Sequence, residues 1–247
     1  MAEREFDPIF GDELSKFPVR FAVPLFFGQS PANIDVPTLN NATATLLKLD
    51  GKFLAVTCFH VWDAFRKNPA DRQALFQIGR SVVAAGHEPI SDDERLDLAV
   101  FDLTSLVGKD GVEAFHFYEP ICWPPQPVVA DDVLSFAGFP GVWRQQVEPN
   151  YLRFYALSSG ASEVRALRPG VITSGIQLEE CRVQINHGLV LGSLGGLSGG
   201  PVFAWRIKPI LRAELVGFIY EYHEGFDLLG IRDAAALKRD GSLEWPW

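Results

Sequence analysis

Short runs of Val, Ile, Leu, Phe and Thr, each broken within a few residues by glycine or proline, recur along almost the whole chain and point to many short antiparallel strands. The punctuation is dense, with 22 Gly and 17 Pro in 247 residues. Strands are expected at 19–27, 42–58, 81–89, 96–103, 132–141, 151–164, 170–178, 181–186, 200–206 and 213–223. Asp50-Gly51 divides the second run, supplying residues tolerant of positive φ, so that run is expected to be a hairpin. Helical signal is confined to "VWDAFRK" and to "RDAAALKRDG" near the C-terminus, where Gly241 could stop a helix. Residues 67–75, 105–130 and 141–150 are expected as loops, and any boundary between two units should fall within 105–130.

The composition narrows function. With 31 acidic against 22 basic residues the net charge is −9, which disfavours phosphate backbones and anionic lipid. No nucleic-acid or membrane partner is expected. The first residues are acidic and lack the basic and apolar regions of a secretory leader, so a cytoplasmic location is expected. The three cysteines, Cys58, Cys122 and Cys181, stand at no metal-ligand spacing, and neither a metal nor another cofactor is expected.

Three local patterns carry chemistry. "FLAVTCFHVW" places His60 between an apolar strand and a helical turn, "DERLDLAVFDL" sets Asp97 against an apolar run, and "GSLGGLSGGPVF" holds Ser198 between glycine pairs. A serine hydroxyl is a weak nucleophile until a neutral imidazole takes its proton, and that imidazole needs a carboxylate to fix its tautomer. Glycines around the serine let the amides of Gly196 and Ser198 converge on one point, as an oxyanion hole requires. Asp92 and Asp93 compete with Asp97 but lie in a charged run with Glu94 and Arg95, and Asp102 would face the other side of the strand. "GLSGG" also fits a nucleophile elbow, but that needs an acid and then a histidine after the serine, and only His223 follows in the last 49 residues.

Taken together, the chain resembles chymotrypsin-fold, trypsin-like serine peptidases. The family's T-A-A-H is matched by Thr57-Cys58-Phe59-His60, its D-[IL]-A-[LV] by Asp97-Leu98-Ala99-Val100, and its G-D-S-G-G-P by Gly196-Leu197-Ser198-Gly199-Gly200-Pro201. The resemblance covers about residues 18–238 and implies an all-β fold of two six-stranded antiparallel barrels with a short C-terminal helix. It divides the chain into an extension over 1–17, a first barrel over 18–115 with His60 and Asp97, and a second over 116–247 with Ser198, together one peptidase unit.

The resemblance further implies a serine endopeptidase acting on a protein or peptide through an acyl-enzyme. In chain order, "ELVGFIYEYHEG" matches the strand that walls the pocket for the residue before the cut, giving Gly192, Ser193, Tyr220, Glu221 and Tyr222 as pocket residues. No acid stands at 192–193, which favours a small or apolar side chain there, although Glu221 could attract a basic one. Secreted relatives carry an aspartate where Leu197 stands, pairing it with a cleaved N-terminus. Leucine cannot do this, so the chain is closest in style to bacterial relatives without zymogen activation, and a regulatory protein partner is expected. The competing class is a catalytically silent module that holds a peptide in the same cleft.

Overall fold

The computed structural model describes residues 8–28, 40–67, 75–79, 81–83, 88–108, 115–148, 151–178, 181–183, 194–206 and 211–245. Helix α1 (Pro8–Val19) leads into strands β1 (Ala22–Gly28), β2 (Asn40–Leu49) and β3 (Lys52–Thr57), then helix α2 (Phe59–Arg66) and strands β4 (Leu75–Ile78), β5 (Ser81–Val83), β6 (Ser91–Asp93) and β7 (Leu98–Asp102). These strands form one antiparallel sheet in the order β5-β4-β1-β2-β3-β7-β6. The turn between β2 and β3 has Asp50 at φ 46° and Gly51 at φ 81°, as a two-residue hairpin with the strands' twist demands.

The remainder comprises β8 (Val133–Gly138), the hairpin β9 (Gln145–Glu148) and β10 (Tyr151–Arg153), β11 (Leu157–Arg168), β12 (Val171–Gly175), β13 (Arg182–Val183), β14 (Pro201–Arg206), β15 (Arg212–His223) and β16 (Leu228–Asp233). The second sheet runs β12-β16-β15-β14-β8-β11-β13, and a further β12–β11 pairing closes six of its strands into a barrel. The first sheet does not close among the described residues, so the structure has one closed barrel and a second, open sheet where two barrels were expected.

The two sheets share apolar contacts. Leu47, Leu54, Val56 and Val100 of the first pack in one cluster with Phe203, Leu215 and Phe218 of the second. Burying these side chains between the sheets contributes about 1.5–3 kcal/mol each and fixes the line along which residues of the two units meet.

Several expectations require correction. The N-terminal segment is helical: α1 lies so close on β11 that a Cβ on Gly160 would stand 2.8 Å from the Gly11 carbonyl oxygen, and its Phe17 ring packs edge-on against Phe21, Phe203 and Trp205. Residues 141–148 form a 3-10 turn and a strand where a loop was expected. The C-terminal helix is absent. Only Ala234–Ala236 make a 3-10 turn, capped by Asp233, and Leu237 bridges to Leu243. Ala234, Ala236 and Leu237 are buried in the cluster between the sheets, and this packing overrides the helix preference of the alanines.

Candidate active site

Strand β3 ends at Thr57 and α2 begins at once, so His60 sits in the helix's first turn at the mouth of the first sheet. Asp97 stands in the turn just before β7, not within a strand as expected, with φ 51°. Aspartate tolerates this left-handed conformation better than most residues. The conformation turns its carboxylate toward α2. Oδ1 accepts the His60 backbone amide at 2.9 Å, and Oδ2 accepts from the His60 ring Nδ1 at 2.8 Å. A carboxylate can only accept, so Nδ1 carries the hydrogen, and in the neutral form of the ring the lone pair lies on Nε2. The ring is half exposed and the Asp97 side chain only 19% exposed, the arrangement of a base with a shielded orienting acid.

Ser198 comes from the other sheet, on the loop before β14, and is partly buried. Successive carbonyls of this loop are all taken up. Gly195 accepts from the Gly141 amide at 2.8 Å, Gly196 from Thr43 Oγ1 at 2.8 Å, Leu197 from the Gly200 amide at 2.8 Å, Ser198 from the Thr43 amide at 2.9 Å and Gly199 from Thr45 Oγ1 at 2.7 Å. Peptide planarity turns this into a statement about donors. The Gly196 amide lies opposite the tethered Gly195 carbonyl, and the Ser198 amide opposite the tethered Leu197 carbonyl, and neither amide makes a hydrogen bond among the described residues. Gly196 holds φ 108°, and a Cβ there would lie 2.6 Å from the Phe139 carbonyl oxygen, so glycine is required on both counts.

Leu197 is buried, packed in the barrel core with Trp143, Leu194, Val202 and Ile219. The loop is therefore anchored by apolar burial at its centre and by hydrogen bonds on either side.

Cys58 lies beneath the three groups. Its thiol donates to the Ile219 carbonyl at 3.3 Å. Complete burial pushes the thiol well above its ordinary range, and the nearby Asp97 charge pushes it further. The Ser198 hydroxyl makes no hydrogen bond to the His60 ring among the described residues. The donor atoms of Cys58, His60 and Asp97 lie within 4.8 Å of one another, which is a metal-ligand set by type. A metal there would have to displace the thiol proton that burial retains and compete for the carboxylate that fixes the His60 ring.

Beside Ser198 opens a depression of about 160 Å³, lined by Leu194, Gly195, Leu197, Ser198, Ile219, Glu221, Tyr222 and Glu224. Of the expected pocket residues, Glu221 and Tyr222 line it, and Gly192 and Ser193 lie outside the described residues. Tyr220 does not line it. It is the bulged residue of β15, paired with nothing between Ile219 and Glu221, and its ring packs against the first sheet's core under the Arg232 guanidinium. Glu224 was not among the expected pocket residues, although "ELVGFIYEYHEG" includes it, because it stands in the turn after β15 and not on the strand itself. The Tyr222 hydroxyl donates to Asp227 at 2.9 Å, and burial, then this bond, raise its pKa to about 12.

No protein-family model matches the chain, and no curated protein matches it in sequence. Solved structures do. The serine protease domain of the Sesbania mosaic virus polyprotein matches with 15% identity over 85% of this chain and 87% of that one, with a TM-score of 0.43. The tobacco vein mottling virus protease matches with 12% identity over 100% and 98% of the two chains, at a TM-score of 0.46. Protease Anisep from Arthrobacter nicotinovorans matches with 14% identity over 89% and 92%, at a TM-score of 0.43.

Proposed function

We propose that the chain is a serine endopeptidase, with residues 18–115 and 116–247 forming one catalytic unit. Ser198 is the nucleophile, His60 the general base and then acid, and Asp97 the orienting carboxylate. The amides of Gly196 and Ser198 form the oxyanion hole. The observation that carries this reading is the tethering of the Gly195 and Leu197 carbonyls, which fixes the two opposite amides, unpaired among the described residues, on the loop that bears Ser198.

The chemistry follows from these groups. His60 Nε2 accepts the Ser198 hydroxyl proton as Oγ attacks the scissile carbonyl carbon, and the two amides stabilise the resulting oxyanion. His60 then gives that proton to the leaving amine, and the C–N bond breaks to leave an acyl-enzyme. Water, deprotonated by the same ring, releases the acid product and restores Ser198. No cofactor takes part. Glu221 and Glu224 on the walls of the depression favour a cationic side chain before the cut. No helix among the described residues is long and apolar enough to cross a membrane, and we assign the protein to the bacterial cytosol on its sequence. A regulatory partner there would act on the contact between Ser198 and His60, because intrachain bonds already hold the oxyanion loop.

That same missing contact favours a second reading, a silent module that only binds peptide. Catalytic hydrogen bonds are often loose before substrate arrives, which weights the first reading. Labelling with a fluorophosphonate probe separates the two. The native chain should take up the probe at Ser198 and Ser198→Ala should not; a native chain that stays unlabelled would sink the catalytic reading.

A further inference from the structure

We infer that Thr43, on β2 of the opposite sheet, is the positioning residue that sets the oxyanion hole, an inference that rests on the peptidase reading above. Thr43 is fully buried and spends every polar atom near the nucleophile loop. Its amide donates to the Ser198 carbonyl at 2.9 Å, and its hydroxyl donates to the Gly196 carbonyl at 2.8 Å. The same oxygen accepts the Phe139 amide at 2.9 Å, and its carbonyl accepts Thr57 Oγ1 at 2.8 Å.

A hydroxyl has one hydrogen to donate, and here the Phe139 amide fixes which way it points. One residue thus holds two peptide planes of the loop, Gly196–Leu197 through its hydroxyl and Ser198–Gly199 through its amide. With the Gly195 carbonyl held by Gly141 and the Gly196 carbonyl held by Thr43, both planes flanking Gly196 are fixed. The φ of 108° between them is then fixed too, so the Gly196 amide, aimed by the Gly141 tether, is kept from swinging with the plane that follows it. Close approach makes this possible. A Cβ on Gly138 would lie 2.7 Å from Leu197 Cδ2 and 3.1 Å from Thr43 Oγ1, so a larger residue at 138 would push the clamp off the loop.

A buried threonine in a sheet ordinarily bonds within its own sheet or packs its methyl. Thr43 instead sends its donor across the boundary between the sheets, and Thr45, on the same face two residues on, does the same to the Gly199 carbonyl at 2.7 Å. Two threonines of the first sheet therefore order the loop of the second. The oxyanion hole needs no freed N-terminus and no docked activator to form.

The test compares full-length wild type, Thr43→Val, Thr43→Ser and Ser198→Ala. The readout is the second-order rate of labelling by a fluorophosphonate, with His60 modification by diethyl pyrocarbonate and thermal melting measured alongside. Valine keeps the shape and removes the hydroxyl. Labelling should fall about 10- to 100-fold, less than the 100- to 1,000-fold loss of an entire donor, because the amide remains and loses only the hold on the plane that follows it. Serine should restore labelling to within about threefold, and the His60 modification rate should be unchanged in both. Should the valine variant not fold, Thr43→Ala against Thr43→Ser gives the same comparison. Equal labelling of the hydroxyl-bearing and hydroxyl-less folded variants overturns the inference, as does a His60 modification rate that falls in parallel with labelling. A labelled wild type with an unaffected valine variant refutes Thr43 alone, whereas an unlabelled wild type overturns the peptidase reading together with it.

Discussion

The contribution of Leu197 to the nucleophile loop can be worked out from where it lies. The side chain is 1% exposed, against Trp143, Leu194, Val202 and Ile219, all buried. Truncation to alanine in such a site costs about 2–5 kcal/mol, and in a chain of this length each kcal/mol moves the melting temperature by about 2–4 °C. Leu197→Ala should therefore melt roughly 6–12 °C below wild type for a mid-range loss of about 3 kcal/mol. Leu197→Asp should be worse at neutral pH, because it places a carboxyl in the same apolar cluster. Burial there would raise the folded pKa of the introduced carboxyl above its unfolded value of about 3.9. The sign follows: below about pH 4 the group is neutral in both states and the aspartate variant approaches the alanine one, whereas stability is lost as pH rises through the folded pKa. Melting curves of the three proteins from pH 4 to 8, with fluorophosphonate labelling at each pH, measure both effects. An aspartate variant that melts within about 2 °C of wild type and labels normally would refute the claim that apolar burial anchors this loop, since a shift that small is less than about 1 kcal/mol. So would a gap between the two variants that does not change with pH.

Three further outcomes are expected. Arg206, with a side chain 10% exposed, is bound by Asp132 and by Glu214 at 3.1 Å, both about as buried, so Arg206→Met should cost about 3–5 kcal/mol in urea unfolding, and a loss under 1 kcal/mol would contradict it. Burial raises the Tyr118 phenol to about 12 from an ordinary value near 10, so the folded state should lose up to about 2–3 kcal/mol as pH climbs from 10 through 12. Tyr118→Phe should remove that part of the alkaline loss, read as the difference in unfolding free energy between pH 9 and 12. Glu221 and Glu224 line the depression beside Ser198 and Glu221 is half exposed, so Glu221→Gln with Glu224→Gln should lower cleavage after Arg or Lys up to about fivefold in a peptide-library digest and leave apolar positions unchanged.

The strand pattern was legible because period-two burial writes itself into composition. The long runs at 42–58, 132–141, 170–178 and 213–223 fall on strands of the structure, whereas 81–89 and 181–186 lie partly outside the described residues. The short strands β4, β6 and β9 were not, since three or four residues carry too little periodicity and are fixed by their neighbours. Helix α1 was hidden by Gly11 and Pro18, both poor helix formers, and is held by packing on β11. At the site, the three motifs name which residues could do chemistry, but not how they are held. Asp97 reads as part of a strand because Leu98–Phe101 follow it, and only the backbone shows that it turns out at positive φ to reach His60. The role of Thr43 leaves no local trace, because it acts on residues distant in the chain.

The site is divided unevenly between the two units. The base and its carboxylate lie within one unit, joined by contacts between α2 and the turn before β7, and could keep their geometry if the two units shifted slightly. The oxyanion loop could not. Three of its five tethered carbonyls, those of Gly196, Ser198 and Gly199, are held from β2 across the boundary, while only Gly195 and Leu197 are held from their own side. A change in how the units sit would thus release the planes that adjoin those of the Gly196 and Ser198 amides before it disturbed the His60–Asp97 pair. The hydrophobic cluster of Leu47, Leu54, Phe203 and Phe218 behind the loop resists that change, so it acts on catalysis through the directions of two N–H bonds as well as on stability.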